Sequence, residues 1–132
     1  MTATAPRSLA VVVHDFAQAK AALALEASHG LSITLVSAPD AARYAGVGFL
    51  RAVERRLHRG IVTDCGTDAG LVMAGLRSGL RSLLFAGDAG VAIRLDDIAR
   101  QLGGSVVSSL ALPILPLMPG DDPARALAEA GY

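Results

Sequence analysis

Ile61-Val-Thr-Asp-Cys-Gly-Thr-Asp-Ala-Gly-Leu-Val-Met-Ala-Gly-Leu-Arg-Ser-Gly79 reads as a buried strand, a tight polar turn and a helix closed by glycine. Ile61-Val-Thr63 is a short β-branched run without alternation. That is the pattern of a strand covered on both faces in a parallel sheet. Asp64-Cys-Gly-Thr-Asp68 is rich in turn-forming residues, and the helix predicted from Thr67 to Ser78 carries one charge beyond Asp68 in its first turn, Arg77. A helix apolar on all sides is expected to be buried on all sides, beneath its own sheet or in a subunit interface. Gly79 stops it in the C′ position.

The flanking sequence repeats this strand–helix unit. Leu9–Val13 and Leu31–Val36 are further strands. Asp15 is placed to cap a helix from Phe16 to about Ser28, stopped by Gly30. Phe16, Leu23 and Ala27 share one face of it, with Gln18, Glu26 and His29 elsewhere. Ser37-Ala-Pro-Asp40 fits a capping pattern with proline in the first turn. The helix after it, from Ala41 to Arg59, is expected to weaken at Gly46-Val-Gly48. Beyond that point Leu50, Val53 and Leu57 face inward, and Arg51, Glu54, Arg55 and His58 face outward. Leu80–Ala86 is a fourth strand, and Gly87-Asp-Ala-Gly90 reads as a flexible turn. Asp96 or Asp97 caps a short helix ending at Gly103-Gly104, and Gly104–Ser108 is a fifth strand.

Alternation with short connections predicts one α/β domain over residues 1–132. The expected fold is a small doubly wound three-layer domain, flavodoxin-like or half-Rossmann. It has about five mainly parallel strands with helices on both faces. Residues 1–7 are expected as a flexible arm. Residues 110–132 are expected as a Pro-rich strap plus a short C-terminal helix that begins at Asp122-Pro123. Pro113, Pro116 and Pro119 exclude a central strand there, because proline cannot donate to a ladder.

Composition narrows the function classes. The chain has 132 residues, 52% of them hydrophobic, so a packed core is expected rather than disorder. Twelve basic residues balance twelve acidic ones, which removes any global attraction to nucleic acid or an anionic membrane. One cysteine excludes an internal disulfide and a multi-cysteine zinc site. No apolar run approaches the roughly 20 residues of a spanning helix, and the first residues do not form a signal-peptide pattern; a cytoplasmic protein is expected. A near-neutral apolar chain favours self-association, so a homo-oligomer, in its simplest form a homodimer, is expected. Arg51, Arg55, Arg56 and Arg59 form a ridge that contains Glu54 and lacks stacking aromatics, which reads as a solvated face.

Ligands of open parallel sheets bind beyond the carboxyl ends of the strands. Those ends carry the ligand-binding candidates Asp15, Ser37, Gly66, Thr67, Asp68, Gly87 and Asp88. The ligand is expected to be small and polar; nothing in the sequence names a cofactor. The catalytic candidates are Cys65, His14 and Asp64. A thiol at a helix N-terminus can be a nucleophile, with His14 as its base if the first and third strands are adjacent. Against this, Asp64 and Asp68 disfavour a thiolate, and cysteine is among the most frequently buried residues. Asp15, Asp40, Asp64, Asp68 and Asp88 all lie near helix starts, where carboxylates cap free N–H groups. That role accounts for them without a hard cation such as Mg²⁺, and no metal site is expected. His14, His29 and His58 lack metal-ligand spacing. A ligand-binding module is the leading reading. The alternatives are an enzyme using Cys65 or Asp64 with His14, and a structural or assembly protein without a ligand.

Ala42-Arg-Tyr-Ala-Gly-Val-Gly48, Asp64-Cys-Gly-Thr-Asp-Ala-Gly-Leu71 and Ala74-Gly-Leu-Arg-Ser-Gly79 resemble segments of a family of short, uncharacterised bacterial α/β proteins. The resemblance covers about the middle third of the chain; it implies a self-standing domain and no activity. The Asp-Cys-Gly turn is also similar to strand–loop–helix units of (β/α)8 enzymes, whose closed barrel five strands cannot form.

Overall fold

The computed structural model describes residues 5–132. Its elements in chain order are β1 (Arg7–Val13), α1 (Phe16–Leu23), α2 (Glu26–His29), β2 (Leu31–Ser37), α3 (Ala41–Tyr44), α4 (Val47–Leu57), β3 (Ile61–Asp64), α5 (Ala69–Ser78), β4 (Ser82–Leu84), α6 (Ala89–Gln101), β5 (Ser105–Val107), β6 (Ile114–Pro116) and α7 (Pro123–Glu129). The strands form a parallel sheet in the order β5-β4-β3-β2-β1-β6. This is the α/β class that the alternation predicts. From β1 to β5 the order advances in one direction, and it reverses only where β6 joins β1. By contacts, the chain divides into two compact units: one holds the residues up to Leu35 together with Ala111–Tyr132, the other Val36–Leu110.

In the first unit, Asp15 caps α1 as expected, its Oδ1 accepting the Gln18 N–H at 2.7 Å. The single helix expected to Ser28 is instead two. The Leu25 N–H bonds to the Ala22 carbonyl three residues back, a tightened turn that ends the α-helical ladder. The Glu26 carboxylate beyond it accepts the Ile33 N–H at 2.7 Å. Gly30 closes α2 at φ 60°. Ala5 and Pro6 are exposed without regular structure, and Arg7 opens β1, donating its N–H to the Gly30 carbonyl; residues 1–4 of the expected arm lie outside the described residues. Part of the expected strap is an edge strand. β6 pairs with β1 in register Ala10↔Ile114 to Val12↔Pro116, and an edge is where prolines are tolerated. The short C-terminal helix is α7, capped by Asp122 with Pro123 in its first turn.

Gln18 departs from its expected outward position and is buried. Its Oε1 accepts the His14 N–H at 2.8 Å, and its Nε2 donates to the Met118 and Asp121 carbonyls at 3.0 and 3.1 Å. His14 Nε2 lies 2.7 Å from the Leu117 carbonyl oxygen. The loops after β1 and β6 are thus tied together by polar groups of the unit itself.

In the 36–110 unit, Gly46 at φ 91° separates α3 from α4, where weakening was expected. Ser37 does not cap α3; its hydroxyl accepts the Asp64 N–H at 2.8 Å. On α4, Leu50 and Val53 are buried as predicted, but so is Glu54, because its carboxylate takes the Ile61 N–H at 2.8 Å and Arg51 Nη1 at 3.2 Å. α6 begins at Asp88, whose Oδ2 caps the Val91 N–H. The flanking glycines made that segment read as a turn. Asp96, expected as a cap, sits mid-helix and accepts the Val106 N–H at 2.9 Å, fastening α6 to β5.

One apolar cluster contains Ala42, Val72 and Leu76, Leu83, Leu95 and Ala99, and Val106. Helices α3, α5 and α6 therefore share one face of β4 and β5, while Ser82, Leu84 and Ser105 are only half-buried and Val107 is exposed. Right-handed crossovers that step in one direction place successive helices on the same face. α5 buries one face, Val72, Gly75 and Leu76; Leu71, Met73 and Ala74 are half-buried, short of the all-round burial its composition suggested. Gly104 allows a close approach: a Cβ there would stand 2.4 Å from the Arg81 carbonyl oxygen.

Replacing Gln18 by Leu removes three hydrogen bonds at once. Urea unfolding should show a loss of about 2–3 kcal/mol, the cost of stranding buried polar partners. A variant as stable as the parent would show that water replaces the amide.

Candidate functional site

At the carboxyl end of β3 the chain turns through Cys65 and Gly66 into α5. Asp64 organises this turn. Its Oδ1 accepts the Gly66 N–H at 2.8 Å and the Asp40 N–H at 3.1 Å, and its own N–H is bound by Ser37. Gly66 has φ 58°, a left-handed conformation that favours glycine, and a Cβ there would lie 2.7 Å from Asp40 Oδ1 and displace that carboxylate. The Gly66 carbonyl accepts the Ala86 N–H at 2.7 Å, which joins the turn to the end of β4. Asp68 caps α5, its Oδ1 accepting the Leu71 N–H at 3.2 Å.

Asp40 and Arg43 complete the cluster. Asp40 is a non-glycine residue in the left-handed region, φ 59°. Its Oδ2 pairs with Arg43 Nε at 3.0 Å, and Arg43 Nη2 stands 3.7 Å from Asp68 Oδ2. Asp40 Oδ1 is enclosed and has no hydrogen-bond partner. Sequence reasoning treated Asp40 as one more helix cap and passed over Arg43. The available signal was the Pro39-Asp40 pair, since aspartate tolerates the left-handed conformation, with a basic residue three positions on.

Of the candidates, Ser37, Asp64, Gly66 and Asp68 come together here, and Thr67 is exposed beside them. Asp88 is exposed at the start of α6, and Gly87 lies against the Phe85 ring. Asp15 belongs to the other unit, where it caps α1. Cys65 is fully buried, its Sγ 3.8 Å from the Thr63 carbonyl oxygen. Burial pushes its pKa up to about 12, reinforced by Asp64, Asp68 and Asp40. Burial and the surrounding carboxylates disfavour the thiolate that a nucleophilic cysteine needs. His14 belongs to the other unit, where its Nε2 lies 2.7 Å from the Leu117 carbonyl oxygen. Asp64 spends one oxygen on two backbone N–H groups and acts as a brace. Among the described residues no group of three or more His, Cys, Asp or Glu side chains is arranged to hold a metal ion. No helix among them is long and apolar enough to cross a membrane. No protein-family model and no curated protein matches this chain.

Cys65 in the native protein should react with a thiol reagent at pH 7 at the rate of global opening, far slower than a free cysteine of pKa about 8.5. The raised pKa also carries a sign. The neutral thiol's contribution is complete below the unfolded pKa and is lost as pH rises from about 8.5 toward 12, by up to about 1.4 kcal/mol per pH unit. Unfolding of the parent and Cys65→Ala between pH 7 and 10.5 should show the steeper alkaline loss in the parent. Separately, Asp64→Ala should cost about 2–3 kcal/mol by stranding two N–H donors, while Asp64→Asn, which keeps the acceptor, should cost less than half of that; equal losses would mean that the charge, and not the bracing, matters.

Proposed function

We propose that this chain is a small-ligand-binding α/β module, with its site at the carboxyl ends of β3 and β4. The ligand is small and polar and offers hydrogen-bond donors or positive charge: an amine, an amino alcohol or a polyol. The observation that carries the reading is Asp40, a strained non-glycine residue whose enclosed Oδ1 lacks a partner, set between Asp64 and Asp68. Backbone strain and unsatisfied polar atoms concentrate where proteins bind and react. The donors at the starts of α5 and α6 already bond Asp68 and Asp88, so acceptors dominate this edge and an anion is disfavoured. Thr67, Asp68 and Asp88 supply the accessible polar groups. A cytoplasmic location accords with the reading.

A thermal-shift screen of amines, amino sugars and polyols tests it. Binding to the native state alone adds about 2.7 kcal/mol at a hundredfold excess over Kd, which raises Tm measurably. Asp40→Asn with Asp68→Asn should abolish the shift. If no such compound raises Tm, or if the double variant responds like the parent, the site is not there.

Assembly is the second reading, and a particular patch favours it. Ile98 on α6 and Leu102 just beyond its end are exposed, as is Val107 on the edge strand β5, and exposed apolar surface marks interaction sites. In this reading two copies meet through α6 and β5 as a homodimer. Light scattering at high micromolar concentration should then give twice the chain mass, and Ile98→Asp with Leu102→Asp should return the monomer. A monomeric parent removes this reading.

A further inference from the structure

The 36–110 unit has a concave surface at the opposite ends of its strands. A cleft of about 690 Å³ is lined by Arg51, Arg55, His58, Arg59, Arg81 and the buried Glu54, with Gly60, Gly79 and Ser82 as its small-residue walls. Its size falls within the range of small-molecule sites. Four guanidinium groups thus meet one carboxylate in a chain whose overall charge is zero. The residues converge from separate segments: the last turns of α4, the Arg59–Gly60 link into β3, the end of α5 and the start of β4.

The ordinary role of such cations is to serve exposed helix carbonyls. Arg81 Nη1 does so, donating to the Leu76 and Leu80 carbonyls at 3.0 and 2.8 Å. That offsets the negative end of α5 and leaves it less hostile to an anion. Arg51 is held by Glu54 through Nη1 at 3.2 Å, and its Nε, seated over Gly79, is enclosed with no hydrogen-bond partner. A Cβ at Gly79 would stand 2.8 Å from that Nε. His58 ends α4 in the left-handed conformation, φ 52°. Glycine is the usual residue at such a position, so a side chain is kept there against a conformational cost. His58 is among the residues that line the cleft.

We propose that this cleft binds a small, multiply charged phosphate-bearing anion, such as an oligophosphate or a phosphorylated polyol. Guanidinium forks match phosphate oxygens in pairs, and several forks around one cleft suit more than one anionic group. No Phe, Tyr or Trp lines it, so the ligand is held by its charged groups and not by stacking of a base. The site is separate from the acceptor-rich edge proposed above and stands or falls independently of it.

Titrate the chain with tripolyphosphate, orthophosphate and citrate at fixed low ionic strength, following amide and His58 ring resonances by NMR. Tripolyphosphate should bind tightest and move His58, Gly60, Gly79 and Ser82 together. Arg55→Ala should weaken binding about tenfold, the effect of one lost charge-assisted contact, whereas Arg94→Ala, on the exposed part of α6, should leave it unchanged. His58→Gly provides a readout that a purely structural role would not give: it should raise Tm by relieving the left-handed residue and yet lower affinity about threefold. Equal weakening by Arg94→Ala and Arg55→Ala would reduce the effect to general charge attraction and overturn the proposal. So would shifts scattered away from the cleft, or a His58→Gly protein that binds undiminished. Citrate binding as tightly as tripolyphosphate would overturn the phosphate assignment.

Discussion

A single carboxylate oxygen, Asp64 Oδ1, joins two turns that lie 24 residues apart in sequence. By accepting from both Asp40 and Gly66 it fixes where β3 ends, how the chain enters α5, and where the segment before α3 must run. Ser37 anchors the other side of the same residue. The arrangement holds Gly66 in the left-handed conformation, turns the Cys65 thiol inward and presents Asp68 to the first turn of α5. Packing of α5 against Leu80, Leu83 and Phe85 then follows. A hydrogen bond to a charged group is worth more than a neutral one, and here one oxygen makes two in a partly buried place.

The neutral net charge conceals a segregation within the 36–110 unit. Asp40, Asp64, Asp68 and Asp88 gather where its strands end, relieved by Arg43 alone among the groups described there. Arg51, Arg55, Arg59 and Arg81 gather where β3 and β4 begin. Helix polarity accounts for part of this, since acids suit N-termini and bases suit C-termini. It does not require a left-handed Asp40 with an unpaired oxygen, nor a left-handed His58 in place of glycine. Both departures from local preference fall at the two charged ends, which is where local rules are broken when a surface has a task.

The sheet class was legible because β-branched runs such as Ile61-Val-Thr63 and apolar helices with glycine stops carry their period in short windows. Caps at Asp15, Asp68 and Asp122 were legible for the same reason: the carboxylate and the N–H it serves are two or three residues apart. Misreadings arose where the deciding partner is remote. Ser37 looks like a cap but bonds Asp64, Gln18 looks solvated but bonds Met118 and Asp121, and Glu54 looks solvated but bonds Ile61. Asp88 was legible as a carboxylate near a helix start, but the neighbouring glycines made the first turns of α6 read as a flexible turn.

By itself the sequence determined the βα alternation, the parallel sheet, the helix stops at Gly30 and Gly79, and the turn at which Asp64, Gly66 and Asp68 meet. Each is encoded in residues that act within a few positions of one another. Tertiary structure alone decided that β2 separates β1 from β3, that β6 joins β1, that Cys65 is sealed, and that Arg81 meets the arginines of α4. Those outcomes depend on which distant backbone and side-chain groups become neighbours, and hydrophobic periodicity specifies a face to be covered without naming the segment that covers it.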